Sequence, residues 1–117
     1  MKFDNNIPIY VQIMEDIKSK IMNGSLKELE KIPSIRSYCI EYEVTSLTMQ
    51  RAISELEREG ILTTQKGVGS FVNKSIMNKL KEETSKKYIS AFVNNMRNIG
   101  YSNTTIVNLI KEELKNE

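Results

Sequence analysis

Between Pro8 and Met22 the apolar residues Tyr10, Ile13, Met14, Ile17 and Ile21 recur at helical spacing, and Asn23-Gly24 follows. That stripe predicts an amphipathic helix with one buried face, closed at a glycine. A polar connection from Ser25 to Ile32 leads to Pro33-Ser34, where Ser34 is a candidate N-cap. The brief second helix that follows has Ile35, Tyr38 and Cys39 as its apolar face and ends near Tyr42. Val44-Thr45 reads as a buried turn residue and a new cap, and a third helix runs from there to about Glu59, stopped by Gly60. On it Met49, Ala52, Ile53 and Leu56 face inward, while Leu47, Arg51, Ser54 and Arg58 point away. Two short helices joined by such a turn give the helix-turn-helix pattern. The runs Ile61 to Gln65 and Ser70 to Val72 then flank Lys66-Gly67-Val68-Gly69, which predicts a hairpin with a glycine-rich tip.

From Asn73 onward the pattern is helical again. Met77, Leu80, Tyr88, Ala91, Phe92, Met96 and Ile99 lie along one long helix broken by Gly100. Ser102 caps a last helix with Ile106, Leu109, Ile110 and Leu114 inward. The predicted fold class is therefore mainly α with a small β-hairpin: a winged helix-turn-helix over residues 1–73, then a two-helix segment over 74–117. Two helices with so little apolar surface do not hold a core alone. The tail is expected to pack on a second copy of the chain, with Leu80, Tyr88, Phe92, Met96, Ile106 and Ile110 as dimerisation residues.

Composition narrows the chemistry. A chain of 117 residues, 39% hydrophobic and 27% charged, suits one ordinary globular domain with a short accessory segment. It contains no histidine, which removes the commonest general base, the Ser-His and Cys-His pairs and the commonest zinc ligand. Cys39 is the single cysteine, without a disulfide partner, and reads as a small buried core residue rather than a reactive thiol. No enzyme activity, metal or cofactor is expected. The opening MKFDNNIPIY lacks an apolar signal core, and no stretch approaches the roughly 20 apolar residues of a membrane span, so a cytoplasmic protein without a membrane partner is expected. The net charge is +2, and residues 1–72 carry 9 basic against 10 acidic side chains, so anion binding must come from charge placement.

That placement points to double-stranded DNA. In a winged helix the third helix fits the major groove, its opening residues meet base edges, and its positive dipole end meets phosphate. Thr45, Ser46, Leu47, Thr48, Gln50 and Arg51 fill this opening stretch. Gln50 suits adenine, Arg51 guanine or phosphate, and Thr48 either task, whereas the Thr45 and Ser46 hydroxyls also serve as plain helix caps. Leu47 is either a scattered surface leucine or a contact for a thymine methyl. Arg36 reaches for flanking phosphate, and Lys66-Gly67 at the hairpin tip for the minor groove or phosphate. Gly67-Val68-Gly69-Ser70 lacks the ending of a nucleotide-binding loop.

These residues also carry a resemblance. Pro8-Ile9-Tyr10-Val11-Gln12-Ile13, Gly24-Ser25-Leu26, Pro33-Ser34-Ile35-Arg36, Val44-Thr45 with Thr48-Met49 and Ala52, Leu56 with Glu59-Gly60, and Gly67 to Val72 together resemble the DNA-binding domain of GntR-family bacterial transcription regulators. The opening motif and short tail resemble the YtrA-type subfamily, whose tail serves dimerisation. The resemblance implies DNA contacts at Arg36, Thr45, Ser46, Thr48, Gln50, Lys66 and Gly67. It implies a homodimeric repressor on a pseudo-palindromic operator, plausibly of an ABC-type transporter operon. Two positions depart from the family: Ser46 stands where arginine is usual, which removes a charged contact, and Leu29 where glycine is usual, which is expected to reshape the loop into the second helix. The alternative is a winged-helix protein-interaction module without specific DNA binding. Tyr88, Phe92, Met96 and Tyr101 are either plain dimer core or the lining of a small effector pocket between subunits.

Overall fold

A computed structural model describes residues 1–116 and divides into two compact units, Met1–Lys81 and the chain from Glu82 onward. In the first unit, the head, α1 (Ile9–Met22) buries Ile13, Met14, Ile17 and Ile21 on the predicted stripe. Fully burying each such side chain contributes about 1.5–3 kcal/mol. Gly24, with φ 85, lies just beyond its end. The Gln12 amide ties down the chain before α1: its Nε2 donates to the carbonyls of Asp4 (2.7 Å) and Ile7 (2.9 Å), and its Oε1 accepts from Asp4 N (2.8 Å).

Helices α2 (Ile35–Tyr42) and α3 (Ser46–Arg58) begin at the expected caps, Ser34 Oγ accepting from Ser37 N and Thr45 Oγ1 from Thr48 N. Met49, Ala52, Ile53 and Leu56 are buried, as their spacing requires. Tyr38 and Tyr42 both enter the core from α2, and the Tyr42 hydroxyl donates to Asp16 on α1 at 2.7 Å. Lys20 spans Asp16 (3.3 Å) and Glu41 (3.6 Å) beside them, so acids of the two helices are compensated at their seam. Cys39, expected in the core, is only half-buried. Its position on α2 is one step off the axis of the Tyr38–Tyr42 face.

Strands β1 (Leu62–Gln65) and β2 (Gly69–Val72) pair antiparallel, with Leu62 opposite Val72 and Gln65 opposite Gly69. Leu62 and Val72 are buried at the base, whereas Thr63 to Val68 are exposed, so the hairpin projects as a wing. The connection before α2 lies along β2 as a third rung: Leu29 N donates to Val72 O (2.8 Å), Val72 N to Glu30 O (3.0 Å) and Ile32 N to Ser70 O (2.9 Å). Leu29 takes φ 67, backbone that glycine adopts freely and that costs a leucine local strain.

Helix α4 (Ile76–Ile99) begins inside the head. Ile76 and Leu80 are buried in the head's core, and Glu28 accepts from Met77 N at 3.1 Å, capping the first turn from a distant loop. The head therefore extends past the expected boundary at residue 73 to Lys81. Leu80, expected at a dimer surface, is 3% exposed and belongs to this core.

In the second unit, the tail, α4 ends at Gly100 (φ 103), and Ser102 caps α5 (Asn103–Lys115) through Thr105 N. Ile106 is buried, but Leu109, Ile110 and Leu114, expected inward, are exposed, together with Tyr88, Ile89, Phe92 and Val107. Each helix of a two-helix unit has only one neighbour, which leaves much of its apolar circumference uncovered. Phe92, Met96, Leu109, Ile110, Glu113 and Leu114 line a groove of about 380 Å³. Among the described residues no helix is long and apolar enough to cross a membrane.

Candidate nucleic-acid interface

The residues between Tyr42 and Ser46 decide how α3 is presented. Glu43 turns the chain with φ 57, and its N–H and that of Val44 both close onto Cys39 O. Val44 is half-buried, and Thr45 starts the next helix. This tight turn fixes α3 against α2 and leaves its first two turns open on one side. Ser46, Leu47, Gln50 and Arg51 are all exposed there, Leu47 to 78%. A leucine so open gains nothing from the core, which leaves it free either as a plain surface residue or for contact with a partner.

The start of α2, α3 and the wing meet around one groove, lined by Lys31 to Ile35, Ile53, Thr64 and Val68 to Ser70. Arg36 is exposed in the first turn of α2 at this place. The wing is braced on α3, because the Thr64 hydroxyl donates to Glu57 at 2.8 Å and shares a 2.7 Å hydrogen bond with Ser70. At its tip Val68 N donates to Gln65 O (3.0 Å) and Gly67 takes φ 78, so Lys66-Gly67 form the exposed centre of a tight turn. Gly69, at φ 141, lies under the Lys31 side chain, where a Cβ would sit 2.6 Å from Lys31 Cε.

Not all the expected residues stand alike. Thr45 and Thr48 are joined through their hydroxyls at 3.0 Å and act as a capping pair, with Thr48 half-buried. Ser46 accepts from Gln50 Nε2 at 3.0 Å and so orients the neighbouring amide. Arg51 is held sideways: its Cζ lies 4.1 Å from the centre of the Tyr10 ring, and its Nη2 donates to the Tyr10 hydroxyl at 3.3 Å. Tyr10 was not among the candidates, and no local pattern announces a contact between positions 41 residues apart. None of Arg36, Arg51 and Lys66 forms an ion pair with another described residue. Of the head's acids, Glu15 and Glu59 pair with Lys18 (3.4 and 3.0 Å) and Glu55 with Arg58 (2.6 Å), whereas Glu57 accepts from Thr64 beside the groove and Glu43 forms no ion pair with another described residue. Burial alone would lower the Lys18 pKa, but its hydrogen bond to Glu59 and the charges of Glu15 and Glu59 outweigh that and raise it. Arg36, Arg51 and Lys66 are therefore exposed cations without an acidic partner among the described residues, on a head with little net charge.

The family model described as "Bacterial regulatory proteins, gntR family" matches residues 9–72, the span from the start of α1 to the end of the wing. The chain is 32% identical over 112 residues to the uncharacterized HTH-type transcriptional regulator YhcF of Bacillus subtilis, covering 94% of this chain and 93% of that one. A GntR family transcriptional regulator from Listeria monocytogenes superposes with a TM-score of 0.86 at 29% identity, covering 94% of this chain and 98% of the other. The DNA-binding domain of AraR, solved in complex with operator ORX1, matches 56% of this chain and 80% of its own with a TM-score of 0.55 and 33% identity.

Proposed function

Because the chain belongs to the gntR family of bacterial transcription regulators, DNA-binding proteins and not enzymes, we propose that it is a cytoplasmic, homodimeric repressor of the short-tailed YtrA type that binds a pseudo-palindromic operator. The observation that carries this reading is the exposed row Ser46, Leu47, Gln50 and Arg51 on the first two turns of α3, the helix whose Ile53 shares a groove with the start of α2 and the wing. Gln50 reads a base edge, Leu47 meets a thymine methyl, and Arg36, Lys66 and the Gly67 backbone hold phosphate. The similarity to an operator-bound domain supports the DNA partner.

Two copies are needed because each head offers few cations, and a single one gives weak binding. The exposed apolar residues of the tail, Tyr88, Phe92 and Ile110 among them, support a dimer made there. Ile106, expected at that surface, is buried within a single copy of the tail and so is no part of the exposed apolar face. A transporter operon near the chain's own gene is the proposed target, by analogy with the family. Any effector would act by favouring one arrangement of the two recognition helices.

Selection of duplexes from a random library by the purified full-length chain tests this reading. Enrichment of an inverted repeat with half-sites about one helical turn apart is expected. A folded dimer that enriches no sequence at low salt would leave the protein-interaction reading instead.

A further inference from the structure

We infer that Tyr10 is a positioning residue that holds Arg51 as a phosphate clamp at the flank of the recognition helix; this rests on the DNA-binding reading above. An arginine on the open face of α3 would ordinarily sample many rotamers, and ordering them on binding carries an entropic cost. Here the guanidinium is stacked at 4.1 Å over the Tyr10 ring, with one N–H donated to the hydroxyl at 3.3 Å. The ring is itself fixed, because Tyr10 is half-buried and packs on the head's core from α1, the helix that lies against α3. Stacking leaves the remaining N–H edges of the fork open, in the plane suited to two phosphate oxygens.

The same contact decides against base reading by Arg51. Its head is drawn back towards α1, whereas Gln50 and Ser46, bonded to each other at 3.0 Å, remain on the outward face of α3. Sequence reading is thus left to Gln50 and Leu47, and Arg51 supplies charge in a preset place.

The test uses full-length chains and the duplex that the wild-type chain selects. Arg51→Ala is expected to weaken binding roughly tenfold and to lower the salt slope by about one per subunit, with the selected sequence unchanged. Tyr10→Leu keeps apolar packing but removes both ring and hydroxyl, and is expected to weaken binding roughly three- to tenfold. Tyr10→Phe keeps the stacking and stays within about threefold of wild type. Added to Arg51→Ala, Tyr10→Leu causes no further loss, because both act through one contact. A folded Tyr10→Leu chain with wild-type affinity, or losses that simply add, would overturn the positioning role. Arg51→Ala that abolishes preference at one base pair without changing the salt slope would overturn the phosphate role. Failure of the wild-type chain to select any duplex would overturn the DNA-binding reading itself.

Discussion

Replacing Glu43 with glycine should stabilise the head, and the size of the effect follows from its backbone. Glu43 has φ 57 and closes α2 with its N–H on Cys39 O. For an L-residue this left-handed conformation costs about 1–2 kcal/mol, which glycine avoids. Against that, glycine loses about 0.4–1 kcal/mol more entropy on folding. A carboxylate at a helix C-terminus is disfavoured by the dipole by about 0.3–1 kcal/mol, and this also disappears. Glu43 is exposed and forms no ion pair with another described residue, so little packing is lost. The sum is a gain of about 1 kcal/mol, or a rise in melting temperature of about 4–8 °C for a domain of this size. Thermal and urea melts followed by far-UV circular dichroism, at one fixed chain concentration, measure it. Glu43→Gln separates the causes, since it removes the charge but keeps the strained backbone, and should recover less than half the gain. Equal gains from Gln and Gly would show that charge alone acts, and a loss with Gly would refute the strain argument.

Burial first, then the hydrogen bond to Asp16 and its charge, raise the Tyr42 pKa above the ordinary value of 10.0, and burial also raises Tyr38. Folding therefore favours the neutral phenols: their contribution is intact below pH 10 and is lost as pH rises above it, at up to about 1.4 kcal/mol per unit for each tyrosine. Tyr42→Phe should cost about 1–2 kcal/mol at pH 7 and make urea midpoints above pH 10 fall less steeply; an unchanged slope would contradict this. Ser46→Ala, by freeing Gln50, should weaken operator binding roughly two- to fivefold, and less than Gln50→Ala; the reverse order would show that Ser46 itself makes the contact. Phe92→Glu should lower the sedimentation mass from dimer to monomer without unfolding the head, and a variant that remains dimeric would place the interface elsewhere.

Much of the head was legible because its signals are local. Ser34 and Thr45 each sit just before a helix and reach an amide three residues on, and Met49, Ala52, Ile53 and Leu56 keep one helical face, so caps and core could be read from spacing. What spacing cannot carry is a pairing across the chain. Glu30-Lys31 reads as polar connection, yet it runs along β2; Glu28 caps a helix that starts 48 residues later, at Ile76; Tyr10 meets Arg51 only because α1 packs on α3. Leu80 shares the helical repeat of the tail residues, so periodicity alone assigned it to them, whereas the head's core claims it. At the candidate interface a bond such as the one from Gln50 to Ser46 was not legible in residue types, which marked Ser46 only as a lost charged contact.

The uncovered apolar residues of the tail make abundance part of the regulator's behaviour. If the tail pairs as proposed, a chain whose exposed Tyr88, Phe92 and Ile110 are covered by its twin is open to proteases and chaperones whenever it is scarce. On that reading newly made copies would be cleared until enough accumulate to pair, and operator occupancy would rise more steeply than synthesis. Such a gene would be sensitive to dosage, and a defective copy that still pairs would poison the sound one.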